Sequence, residues 1–243
     1  MVLGVVIGRS LRDRSERLRE PFGVMQAALL GFMGLILAFG LSLAVGRYED
    51  RRAATVSDAN AIGTAYLRAQ TLAEPIRSSS LALLVTYTDT SIRLADSVPD
   101  SPASKSAIAD GGQIQRRLWT LAGQALVGAP VASAPRLYVE SLNDMIDMQT
   151  TRASALTNRV PSAVLTLEVM GAGVALGLLA LYLSVLGRGL LTVSIAAVLV
   201  SSILLVTFDL DRPYRGVIRV PDTPLVQLRA SMTLPPAATG PSR

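Results

Sequence analysis

The chain has 243 residues, half of them apolar, 17% charged and 5% aromatic, with 23 basic side chains, 18 acidic ones and a formal net charge of +5. Soluble domains average roughly 25% charged residues, so this composition leans away from water. Cysteine and histidine are both absent, which excludes thiolate and imidazole metal sites, haem ligation, Cys nucleophiles and His acid–base chemistry.

In chain order, Met1–Gly8 is apolar but too short to cross a bilayer, and Arg9, Arg12, Arg14, Arg17 and Arg19 follow it. A signal peptide carries its positive charge ahead of the apolar region. The observed order fits the remnant of a further membrane helix that starts upstream, with residues 1–20 closing as a basic juxtamembrane segment. Residues 21–46 (Pro21–Gly46) then run without a charge. At about 1.5 Å per residue they suffice for a hydrocarbon core of about 30 Å.

Residues 47–160 change character. Ile76, Leu83, Leu84, Tyr87 and Leu94 follow Pro75 at three- and four-residue spacing, and proline is tolerated at a helix start. Similar stripes run through Val56, Ala59, Ile62 and Tyr66, through Leu118, Trp119, Ala122 and Leu126, and through Leu142, Met145, Ile146, Ala153 and Leu156. Loop signals at Asp96–Ala103 and Gly128–Pro135 separate them. With no alternating strand pattern, the insertion is expected to be a helical bundle.

Residues 161–208 form a second membrane element. Pro161–Gly187 holds one charged residue, Glu168, and Gly189–Phe208 holds none. Only Gly187-Arg188-Gly189 separates them, which predicts a tight helical hairpin. In residues 209–243, Asp209, Asp211, Arg212 and Arg215 cluster at the membrane exit, Pro213 ends the helix, Val217–Val220 looks extended, and Leu234–Arg243 has the composition of a disordered tail. The expected fold is therefore all-α: three full membrane helices, a truncated one before them, and a helical bundle inserted between the first two full spans.

Candidate functional residues are few. Enzyme signatures are missing: no phosphate-cradling glycine loop, no nucleophile elbow, and Asp144 and Asp147 one turn apart on a helix are expected to face water. No enzyme, cofactor or metal is expected. The basic residues are almost all arginines spread along the chain, with Lys105 the single lysine. They lack the aromatic platforms of a nucleic-acid binder. Glu168 stands out, because a charge near mid-membrane costs roughly 2.5–3.5 kcal/mol on insertion scales. It is either a protonated or snorkelling side chain or an ion or proton site. The exit cluster is either an interfacial ion-pair clamp or an ion-attracting vestibule. Gly23, Ala27, Gly31, Gly34, Ala38 and Ser42 in the first span, and Gly173, Gly177, Ala180 and Ser184 in the second, form small-residue stripes suited to close helix packing or to a pore face. The basic N-terminal segment favours the cytoplasm, which would put the long insertion outside.

Four strings in order — LAFGLSLAVGRYEDRR, DANAIGTAYLRAQTLAEPIR, SLNDMIDMQTTRASALTNRVP and DLDRPYRGVIRV with PLVQLRASM — resemble the bacterial membrane proteins that carry a bestrophin-like domain of unknown function, over Arg9 to Met232. Bestrophins are pentameric anion channels with four membrane helices and a large helical insertion after the second. The resemblance implies a bacterial plasma-membrane homo-oligomer that conducts inorganic anions, with the Pro21–Gly46 helix lining the pore. Phe32 and Phe39 are then candidates for a hydrophobic neck, which can gate by dewetting. Glu168, Asp209, Asp211, Arg212 and Arg215 complete the candidate ion pathway. The resemblance implies a cytoplasmic insertion, opposite to the arginine argument. Bestrophins also place a calcium-binding acidic cluster after their last membrane helix, but Asp209 and Asp211 are few ligands for an ion that takes about 6–8 oxygens. The other reading is a non-transporting membrane protein whose helical insertion senses a signal or binds a partner. No span has a continuous polar stripe, so a channel requires a ring of subunits, and subunit number separates the two.

Overall fold

The computed structural model describes residues 19–98, 101–186, 190–212 and 216–238. Its helices are α1 (Arg19–Ala69), α2 (Ile76–Asp96), α3 (Pro102–Gly128), α4 (Ser133–Thr157), α5 (Ser162–Val185), α6 (Leu190–Leu210) and α7 (Thr223–Ser231), with no strand among the described residues. The all-α expectation holds. The N-terminal remnant, the Gly187-Arg188-Gly189 turn and Arg215 lie outside the described residues.

The chain divides into two compact units. One takes the described residues up to Tyr48 together with Arg159–Ile218. Its long apolar stretches, carried by α1, α5 and α6, suffice to cross a membrane. Within it α5 and α6 pack through Leu179, Ala180 and Val193, while Ala44, Val160 and Leu210 close a second cluster. Many of the remaining large apolar side chains of α5 and α6, among them Leu167, Met170, Val174, Leu191, Val198 and Leu205, face outward, as suits a lipid-immersed helix.

The other unit, Glu49–Asn158 with Arg219–Arg243, is the helical bundle. Its helices start where the chemistry predicts. Pro75 precedes α2, and Ser101 Oγ accepts from the Ser104 N–H at 3.1 Å to cap α3, whose first residue is Pro102. The core gathers Ile62, Leu84, Tyr87, Leu118, Tyr138, Leu142 and Met145. Three members of the predicted stripes are corrected: Trp119 is 46% exposed, Val56 also faces solvent, and so does Ala153. What turns inward instead is polar. On α1 the buried positions Arg51, Thr55, Asp58, Ile62, Ala65 and Ala69 follow one helical face, and on α4 Tyr138, Met145 and Arg152 do the same.

Beyond Val220 the chain forms a further helix that the sequence reading did not single out. This helix, α7, buries Leu225 completely and ties down through Tyr66 Oη, which donates to the Met232 carbonyl at 3.2 Å. Even Ala238, inside the stretch expected to be disordered, donates its N–H to Gln70 Oε1 at 3.0 Å. The sequence carries a signal for this in Pro224 at the first turn and in Leu225 and Leu228 on one side.

Candidate functional site

Within the membrane-spanning unit, α1 has two unlike faces. Gln26, Met33, Leu37, Gly40 and Ala44 are buried, following the three- and four-residue spacing of a helix contact. Phe32 and Phe39, seven residues apart, lie on another side and are 59% and 62% exposed, with Leu35 and Leu43 beside them. The two candidate neck residues therefore share a face that the described residues leave uncovered.

The contact of α1 with α5 is built from glycine notches. A Cβ on Gly23 would stand 2.9 Å from Tyr182 Oη, one on Gly171 would overlap the Met33 thioether, and one on Gly40 would overlap the Glu168 carboxyl group. The order, low numbers on α1 against high numbers on α5, makes the pair antiparallel. Small residues do serve packing here, but only some of those expected. Nothing lies within 4 Å of a Cβ built on Gly31, Gly34, Gly173 or Gly177. The packing stripe on α5 is Glu168, Ala172, Ala175 and Leu179, in which the glutamate takes a position that a small residue would otherwise fill.

Glu168 is fully buried, and neither carboxyl oxygen has a hydrogen-bond partner among the described residues. Its neighbour in the notch is the backbone of Gly40. Sequence reasoning singled out Glu168 for its charge but missed Gly40, the residue that makes room for it. The only signal was a glycine on the α1 face that also carries Met33, Leu37 and Ala44.

The exit cluster resolves into backbone staples. Asp209 Oδ1 accepts the Val217 N–H and Oδ2 the Ile218 N–H, both at 2.8 Å, so the carboxylate folds the segment after α6 back on the helix end. Gly216 is required there, because a Cβ would come within 2.8 Å of the Asp209 carbonyl oxygen. Asp211 is buried and its Oδ1 accepts the Val160 N–H at 2.7 Å, tying the start of the α5 segment to the end of α6. Arg212 is exposed. With both aspartates engaged by backbone donors, the pair does not fit the calcium cluster of bestrophins. No group of three or more acidic side chains that could hold a metal occurs among the described residues.

The helical unit holds its charges differently. Arg152 Nη1 donates to Asp58 Oδ2 at 2.9 Å in the core, leaving Asp58 Oδ1 and Arg152 Nε without partners. Burial pushes the Asp58 carboxyl above its ordinary range, and Arg152 pulls it back only in part. Beside them Gln115 Nε2 donates to Tyr87 Oη at 3.0 Å and to Gln149 Oε1 at 2.6 Å. Burial raises the Tyr87 phenol strongly, and raises that of Tyr138 to about 12. Arg51, also buried, donates to the Ala155 and Asn158 carbonyls at 3.3 and 2.8 Å, which satisfies the C-terminal end of α4.

Comparison with known proteins bears on the whole chain. Crystal structures of bacterial bestrophin homologues from Klebsiella pneumoniae superpose with TM-scores of 0.69, for a single-substitution variant, and 0.68, for one phased with zinc. Each is 14% identical and covers 95% of this chain and 94% of its own. A third structure, described as a variant of a membrane protein, gives a TM-score of 0.70 at 14% identity, covering 95% of this chain and 93% of its own. No curated protein matches the sequence. At such identities the superposition shows a shared fold, and the sequence supplies the rest. Residues 2–225 match the family described as bestrophin-like domain, and this all-helical membrane protein belongs to the bestrophin-like domain family.

Proposed function

We propose that the chain is one subunit of an oligomeric ion channel of the bestrophin type, a multi-pass protein of the bacterial plasma membrane that conducts inorganic anions. The observation that carries this reading is the uncovered aromatic face of α1. Phe32 and Phe39 are stacked two turns apart on the side away from α5. No span of the sequence has a continuous polar stripe with which a single protomer could line a wet path, so conduction needs a closed ring with this face turned inward. Phe32 and Phe39 then form a hydrophobic constriction that opens by wetting. At the exit, Asp209 and Asp211 shape the segment whose arginines, Arg212 and Arg215, draw anions toward the mouth. Glu168 acts from behind the lining face.

The test is subunit number by native mass spectrometry of the full chain from mild detergent, followed by anion flux in proteoliposomes. A closed ring, roughly five subunits by the family resemblance, with flux that rises in the Phe32→Ala/Phe39→Ala variant, is the expected result. A monomer or dimer that persists across detergents sinks the channel. The helical unit would then become the functional part, as a sensor or partner-binding module. The specific observation favouring that second reading is an open groove of about 550 Å³ between α2 and α3, lined by Ser79, Thr86, Arg117 and Thr120 over Leu83 and Leu121.

A further inference from the structure

Glu168 is more than a charge in an apolar helix. It is fully buried, both oxygens lack partners among the described residues, and its carboxyl group sits in a notch that exists only because residue 40 is glycine. The elements packed around it bring no counter-charge. α1 has no ionisable side chain between Pro21 and Gly46, and α6 has none between Leu191 and Phe208. On α5 itself the nearest titratable group is Tyr182, which packs on Gly23. Arg47 and Tyr48 on α1, Arg159 ahead of α5 and Asp209 on α6 flank these stretches at their ends, and Asp209 is engaged by two backbone N–H groups. A metal cation needs several oxygens, whereas two are present. A proton needs one.

We propose that Glu168 is a proton-binding site that sets how closely α1 and α5 pack. The neutral acid seats against Gly40. Loss of the proton to water leaves a carboxylate that has no partner in the notch and swings out, releasing the contact. Because Gly40 adjoins Phe39 on α1, this movement is transmitted to the proposed constriction. That last step rests on the channel reading; proton binding itself does not.

The experiment is pH-titrated infrared spectroscopy of the full chain in proteoliposomes, paired with a cross-link across the same contact. The wild type should show a protonated-carboxyl band that disappears reversibly as pH rises, is missing from Glu168→Gln, and follows a single proton, with acid to carboxylate changing about tenfold per pH unit. Since the chain has no native cysteine, Met33→Cys with Gly171→Cys reports the α1–α5 contact. Its cross-linking yield, taken relative to the same pair in a Glu168→Gln background to cancel thiol ionisation, should fall over the pH range in which the band is lost. Gly40→Ala, which displaces the carboxyl group, should abolish that relative pH dependence. Identical titrations in wild type and Glu168→Gln overturn the proton site, and a relative cross-linking yield that ignores pH overturns its mechanical role. Anion flux measured on the same vesicles separates the two readings: flux without a titrating band removes the proton site alone. A titrating band and cross-link in a protein that carries no current removes the channel alone.

Discussion

Two buried carboxyl groups, Asp58 in the helical unit and Glu168 in the membrane-spanning unit, are treated in opposite ways. In the helical unit, Asp58 and Arg152 are paired at 2.9 Å, and Arg51 spends its donors on carbonyls at a helix end. In the membrane-spanning unit, Asp209 and Asp211 hold backbone N–H groups, while Glu168 holds nothing. The same raw material, an acidic residue on an otherwise buried helical face, is closed off in one unit and left open in the other. A paired charge fixes a structure, and an unpaired one leaves a vacancy that only a proton or a movement can fill.

The sharpest way to break that comparison is to unpair the pair. Removing one partner of a buried ion pair leaves the other uncompensated at a cost of about 3–5 kcal/mol, so Arg152→Ala should lower the thermal stability of the helical unit severely. Asp58 adds a sign. Its carboxyl is held above its ordinary range because the burial penalty exceeds the attraction of Arg152. A group shifted upward stabilises the fold at pH below its unfolded value, near about 3.9, and that contribution is lost as pH rises through the folded value. The contribution of Asp58, read as the stability of wild type relative to Asp58→Asn, should therefore fall with pH across this window. The double variant Asp58→Leu/Arg152→Met should be at least as stable as wild type above it, because the pair costs more in lost solvation than it returns. A denaturation series over pH decides this. A rise across the window in wild-type stability relative to Asp58→Asn would overturn the sign, and a double variant as damaged as Arg152→Ala would show that the pair stabilises outright.

Sequence patterning made the spans and the helical insertion legible because lipid and bundle cores both select apolar residues at fixed spacing. It also located Glu168. It misjudged the faces. Val56 and Trp119 are apolar but point to solvent, while Arg51, Asp58 and Arg152 continue the buried spacing of Ile62 and Met145. Polarity alone cannot reveal this, because each of the three is made tolerable by a partner distant in sequence: Ala155, Asn158, or one another. The exit aspartates failed to announce their role for a related reason. A carboxylate that binds backbone N–H groups leaves no trace in its partners' side chains.

Those aspartates give a second, smaller effect in the other unit. Asp209→Ala removes the acceptor of two charge-assisted backbone bonds, each worth about 1.5–3 kcal/mol when lost from a charged group, less whatever water restores at this half-exposed site. The expected loss is about 2 kcal/mol, accompanied by faster hydrogen exchange at the Val217 and Ile218 amides. Asp209→Asn keeps one side-chain oxygen and should retain part of that protection. Unchanged exchange at both amides in Asp209→Ala would mean that the staple is not formed.

The smallest effect belongs to a pair that looks strong by distance alone. Arg229 Nε lies 2.6 Å from Asp89 Oδ1, closer than Arg152 lies to Asp58, yet both side chains are substantially exposed. Solvent screens such pairs to about 0.2–1 kcal/mol. A double-mutant cycle of Arg229→Ala and Asp89→Ala should return a coupling in that range, fading in high salt. α7 should remain docked, because Leu225 and Met232, not the ion pair, bury its contact with the bundle. A coupling of several kcal/mol would place the pair with Asp58 and Arg152. It would show that the distinction between open and closed charge turns on contact distance and not on burial.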